Sequence, residues 1–122
     1  MTEADLTARD AAKAAAAKIL EQSTPAVKAI HEVPSKMASK MDDWEAGGIL
    51  NAAVGSIAMD NIAKWGWGTM NVRQKCRKLL LMVHPDHAHT RGDDPELSKA
   101  AFQRLKTAID FFTDSELEEE LG

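Results

Sequence analysis

An all-α fold is what the sequence predicts, on three observations. Aromatic residues are scarce, with no Tyr, three Phe and three Trp in 122 residues, whereas Ala, Leu, Lys and Glu recur, a balance that favours helices over strands. Apolar residues return at intervals of three and four in the second half of the chain. Polar segments bearing Gly and Pro punctuate those runs, as connections between helices do. A chain of this length suits one domain with a real but modest core.

Residues 5–22 read as an Ala-rich helix of high intrinsic propensity, with only Leu6, Ile19 and Leu20 to bury. Ser23, Thr24 and Pro25 interrupt the pattern, and Pro34 and Ser35 do so again, so residues 23–42 read as a linker or partly helical connector. Residues 1–42 together form an N-terminal helical extension ahead of a helical domain at 43–114. Within that domain Leu50, Ala53, Val54, Ile57 and Ile62 predict a helix over roughly 46–64. Gly47, Gly48 and Gly55 weaken it by about 1 kcal/mol each relative to Ala. Trp65-Gly66-Trp67-Gly68 reads as a compact turn with bulky anchors.

The next helix, over 70–83, carries Val72, Cys76, Leu79 and Val83 on one stripe that Leu80 widens, with Thr69 or Asn71 as its cap. It stops at His84, because Pro85 disfavours a helical conformation in the residue before it. The connection from His84 to Asp94 is polar, with Gly92 as a hinge. Asp94 caps the last strong helix and Pro95 takes its first position. Phe102, Leu105, Ile109 and Phe112 form its stripe, flanked by Ala101 and Ala108. The two stripes predict an antiparallel pair with the Phe rings filling the gap, and a buried Phe102 ring would be worth about 3–5 kcal/mol. Residues 115–122 are an acidic tail, which a Thr113–Glu116 capping box would extend into a turn of helix or which would stay mobile.

Charge and composition narrow the function classes. The net charge of -4 gives no global attraction to nucleic acid or anionic lipid. The basic side of helix 70–83 would suit phosphates, but the long proline-led connection does not match a helix-turn-helix. Cys76 is the only cysteine, so an intrachain disulfide and a cysteine zinc ribbon are excluded. No stretch is apolar and long enough for membrane insertion, and Glu3, Asp5 and Asp10 argue against a leader peptide, so a cytoplasmic location is expected. His84, Asp86, His87 and His89 are metal-ligand types, yet near-neighbours in one loop rarely converge on one ion. His84 and Asp86 have no activated nucleophile or oxyanion donor beside them, so neither enzyme activity nor a cofactor is expected.

The informative constellation is His84-Pro85-Asp86 immediately after a cationic helix that bears Arg73, Lys75, Arg77 and Lys78 and no acid. Arg73 and Arg77 are one turn apart, off the apolar stripe, a plausible docking face for an acidic partner. Together with residues 76–86 (CRKLLLMVHPD) and 101–109 (AFQRLKTAI), the triplet resembles the J-domain family of co-chaperones over roughly residues 49–112. In that family the triplet sits in the loop between two antiparallel helices. The resemblance implies docking on an ATP-bound heat shock protein 70 family chaperone and stimulation of its ATP hydrolysis. Asp86 would pair with a chaperone arginine, His84 would add polar contacts, and Pro85 would hold the loop geometry. Arg73, Arg77 and Lys78 would supply attraction that weakens with salt.

The pattern also departs from the family. Cys76 and Val83 stand where most members have aromatics, Met82 and His87 replace common lysines, and an acidic tail replaces a basic fourth helix. The long preceding helix, the tryptophan turn and the missing fourth helix are similar to the auxilin branch, which recruits the chaperone to clathrin coats. No clathrin-binding motif is evident, and the N-terminal extension would carry any such client contact. A J-like module that binds without stimulating is the alternative.

Overall fold

The computed structural model describes residues 11, 14–35 and 40–121, and all regular structure among them is helical. Residues 14–21 form an exposed helix; residues 5–10, 12 and 13 of the helix expected at 5–22 lie outside the described residues. The elements that follow are α1 (Pro25–Glu32), α2 (Asp43–Gly55), α3 (Met59–Trp65), α4 (Val72–Met82), the single turn α5 (Ala88–Arg91), α6 (Pro95–Phe111) and α7 (Asp114–Leu121). Short 3₁₀ turns occupy Trp67–Thr69 and Pro85–His87.

Local chemistry sets the helix ends. The Asp42 carboxylate accepts from the Glu45 backbone N–H at 2.9 Å and so caps α2. The helix expected over 46–64 is two, because the chain breaks after Gly55. There the Ser56 hydroxyl donates back to the Ala52 carbonyl at 2.6 Å, and Ile57 is buried in the turn. Asn71 caps α4 through a complete capping box with Gln74 (2.9 and 3.0 Å). Asp94 and Pro95 open α6 as their residue types require.

The centre of the molecule is the pairing of α2 with α6, which pack against each other more extensively than any other two elements. Ala46, Ile49, Leu50 and Ala53 of α2 and Ser98, Ala101, Leu105 and Ala108 of α6 are all fully buried. Small residues on both faces let the two backbones approach closely. This turns α6 away from the expected orientation. Phe102, Ile109 and the cap residue Phe112 are only half-buried, and Phe102 and Ile109 border residues of α4 and α7. The expected stripe had the right period but was centred one residue off, because small residues carry little weight in a reading by hydrophobicity.

Two further elements join this core. Proline-led α1, within the stretch read as a connector, inserts Ala26, Val27 and Ile30 against α2 and α6. One of its C-terminal carbonyls is taken up by a neighbour: Arg104 Nη1 donates to Ile30 O at 2.6 Å. His31 Nε2 donates to Leu97 O at 2.8 Å. The stretch expected to be an acidic tail forms α7, capped by Thr113 as anticipated (3.2 Å from the Glu116 N–H). Leu117 and Leu121 turn inward onto α2 and α4 while the carboxylates face water.

Candidate functional site

His84, Pro85 and Asp86 lie in the connection between α4 and α6. α4 stops at Met82 with Val83 as its cap residue, and the triplet enters a 3₁₀ turn with Pro85 at the first position. The His84 ring is half-buried. It meets the edge of the Phe102 ring at a centroid distance of 4.9 Å, tilted by 69°. Its Nδ1 accepts the Asp86 backbone N–H at 3.1 Å, which leaves Nε2 as the protonated nitrogen. The Asp86 carboxylate is 83% exposed, and its nearest oxygen is 3.8 Å from His84 Nδ1. The imidazole thus anchors the turn, and the carboxylate is presented to solvent.

A second tier of residues holds this turn from below. Arg91 Nη1 donates to the His84 carbonyl at 3.1 Å, and the His87 N–H donates to the same oxygen at 3.1 Å. Arg91 Nη2 donates to Ser98 Oγ at 2.7 Å, whose hydroxyl in turn donates to the Val83 carbonyl at 2.6 Å. Arg91 Nε completes the guanidinium's pairing with Asp93 at 2.9 Å. Gly92 adopts φ +81°, a left-handed conformation that turns the chain so that Arg91 and Asp93 converge. The Asp93 side chain is fully buried and also accepts from the Thr24 N–H (2.7 Å) and hydroxyl (2.8 Å). Of these bracing residues only Gly92 stands out in the sequence, as a hinge. An Arg-Gly-Asp run in a polar loop reads as solvated surface, and no local signal links Thr24 to Asp93.

The cationic helix divides in two. Arg73 and Arg77 are exposed. Lys78 is half-buried, with Nζ 4.9 Å from the Trp65 ring, and Lys75 is buried, with Nζ 5.4 Å from the Trp67 ring. Both tryptophans of the turn therefore pack under lysine side chains. Between α4, α6 and α7 runs an open apolar groove of about 470 Å³, lined by Val72, Cys76, Leu80, Phe102 and Ile109, with Arg73, Arg77 and His84 on its margin. Burial first, and then the negative charge of Asp114, pushes the Cys76 thiol above its ordinary pKa, which disfavours the reactive thiolate.

No family model, curated protein or solved structure matches the chain. No group of three or more His, Cys, Asp or Glu among the described residues is arranged to hold a metal ion. No helix among them is long and apolar enough to cross a membrane.

Proposed function

We propose that the chain is a J-domain-type co-chaperone. Its 84–86 turn and the exposed side of α4 dock on an ATP-bound heat shock protein 70 family chaperone and stimulate hydrolysis there. The observation that carries this is the exposed Asp86 carboxylate on a braced turn directly after a helix that bears exposed Arg73 and Arg77. A carboxylate held in place matches the forked donors of a partner arginine, and the guanidinium groups of Arg73 and Arg77 attract an acidic surface. Lys78 contributes less freely, since it leans on Trp65.

The contact pattern also supports an antiparallel arrangement of the two helices beside the turn. Val83, at the end of α4, meets Ser98 near the start of α6. Val72 and Cys76, early in α4, share a groove with Ile109 near the end of α6. The groove lies where Cys76 takes the place of a family aromatic. The likeness to the coat-directed branch rests on the long preceding helix, the tryptophan turn and the lack of a basic fourth helix; α7 stands at that place but is acidic. No clathrin-binding motif accompanies these features, so the proposal stops at the chaperone.

The chain performs no chemistry in this role. Preferential binding to the hydrolysis-competent form of the chaperone shifts its population toward that form. Single-turnover ATP hydrolysis by a panel of purified heat shock protein 70 family chaperones, with and without this chain, tests the role. Stimulation by the wild type and its loss in His84→Gln and in Asp86→Asn are expected. Stimulation that persisted in both variants would overturn the mechanism.

A further inference from the structure

We propose that the segment entering α1 sets the docking competence of the 84–86 turn, through a clamp that runs from Thr24 to Asp93 to Arg91 to the His84 carbonyl. This rests on the docking role just described and assigns positioning residues to it. Thr24 stands at the N-cap position of α1, where a threonine hydroxyl ordinarily accepts from its own helix. Here it makes no such cap. Its hydroxyl and its backbone N–H both donate to the Asp93 carboxylate, at 2.8 and 2.7 Å. The contact joins residues 69 positions apart, so α1 forgoes its own cap to hold the loop.

Asp93 cannot be idle in this arrangement. A buried carboxylate is tolerated only when paired and hydrogen-bonded, and its partners are Thr24 and the Arg91 guanidinium. Arg91 is thereby held with one terminal nitrogen on the His84 carbonyl and the other on Ser98, whose hydroxyl reaches Val83. Two successive carbonyls at the entrance to the turn are thus anchored to one charged group. That group is oriented from the far end of the chain. The Asp86 carboxylate touches none of Thr24, Asp93 and Arg91, and at 83% exposure it is open to a partner. The clamp therefore acts on the backbone that presents Asp86 and leaves its carboxylate exposed.

If the turn samples competent and incompetent geometries, loosening the clamp lowers the competent fraction. The apparent affinity then falls in proportion while the saturated effect is kept. In the full chain, Thr24→Val removes the hydroxyl donor with little change of shape, Thr24→Ser restores it, and Asp93→Asn removes the charge that orients Arg91. In a titration of chaperone ATP hydrolysis, the half-saturating concentration of this chain is expected to rise about fivefold in Thr24→Val and about tenfold in Asp93→Asn, with an unchanged plateau and wild-type behaviour in Thr24→Ser. The amide resonances of His84 and Asp86 and the ring resonances of His84 in the protein alone are expected to move in Thr24→Val, while the amide resonances of Ile49 and Leu105 stay in place. Unmoved His84 and Asp86 resonances would overturn the clamp, as would shifts spread evenly through the core. Should the wild type stimulate no chaperone, the docking role would fall, and the resonance comparison would still decide the clamp by itself.

Discussion

The α2–α6 interface, apolar apart from Ser98 and a Glu45–Arg104 ion pair at 3.4 Å, and the polar 84–98 loop network are held by different balances of forces. Across the interface eight fully buried residues, all apolar except Ser98, make contacts that are individually weak and collectively large. In the loop one arginine and one aspartate satisfy one backbone carbonyl, two hydroxyls and a backbone N–H, and one of those hydroxyls, Ser98, satisfies a second carbonyl. Dispersion degrades gradually as atoms are removed. A buried ion pair does not, since removing one partner strands the other. The lesson is that the core tolerates variation in shape, whereas the loop tolerates very little variation in chemistry.

The sharpest way to break that contrast is Asp93→Ala, which leaves the Arg91 charge and both Thr24 donors unpaired. It is expected to destabilise the protein by about 4 kcal/mol, read from urea unfolding. Leu105→Ala removes a fully buried side chain from α6 and is expected to cost about 3 kcal/mol by the same measurement. The two effects should add when combined, because they act on different networks. Asp93→Ala with Thr24→Val should fall well short of additivity, because they remove the same one. Additive behaviour in the second pair would dissolve the distinction between the regions. Phe102→Ala comes next. The ring is half-buried, so about 2 kcal/mol is expected in place of the larger loss a buried ring would bring.

Smaller effects test the surface. Arg73→Glu combined with Arg77→Glu should leave stability within about 0.5 kcal/mol of wild type, since both side chains are exposed. It should also slow association with the chaperone, most clearly at low salt; association rates that stayed the same at every salt concentration would reject the docking face. The smallest expected change is at Cys76. Its raised pKa predicts slower alkylation at pH 8 than a free thiol shows, with the rate increasing in Asp114→Asn as the nearby negative charge is removed. A rate insensitive to that substitution would leave burial as the sole cause.

Much of this was legible locally. The caps at Asp94 and Thr113, the proline start of α6, the Leu79 and Val83 stripe and the position of the triplet follow from residue type and spacing, which act over a turn or two of chain. The misplaced face of α6 has a plain cause: Ala101 and Ala108 carry too little hydrophobicity to outvote Phe102 and Ile109, so they read as the flank of a stripe that faces α4, whereas they lie at the centre of the face that meets α2. The buried role of α1 was hidden because Ala26, Val27 and Ile30 are too few to signal a helix without the surfaces they cover. At the candidate site the triplet and the exposed arginines were readable. The bracing network was not, since Arg91 and Asp93 look like any solvated loop until Thr24 arrives from far away in sequence.

By itself the sequence determined the all-helical architecture, most helix boundaries and which three residues form the candidate docking turn. Each depends on interactions between near neighbours along the chain. Tertiary structure alone decided which face of α6 is core, that the acidic end packs as α7, and that the turn is anchored through Asp93. Those outcomes depend on what surrounds a residue in space: whether a small side chain admits another backbone, or a charge meets its partner, is set by groups tens of residues away.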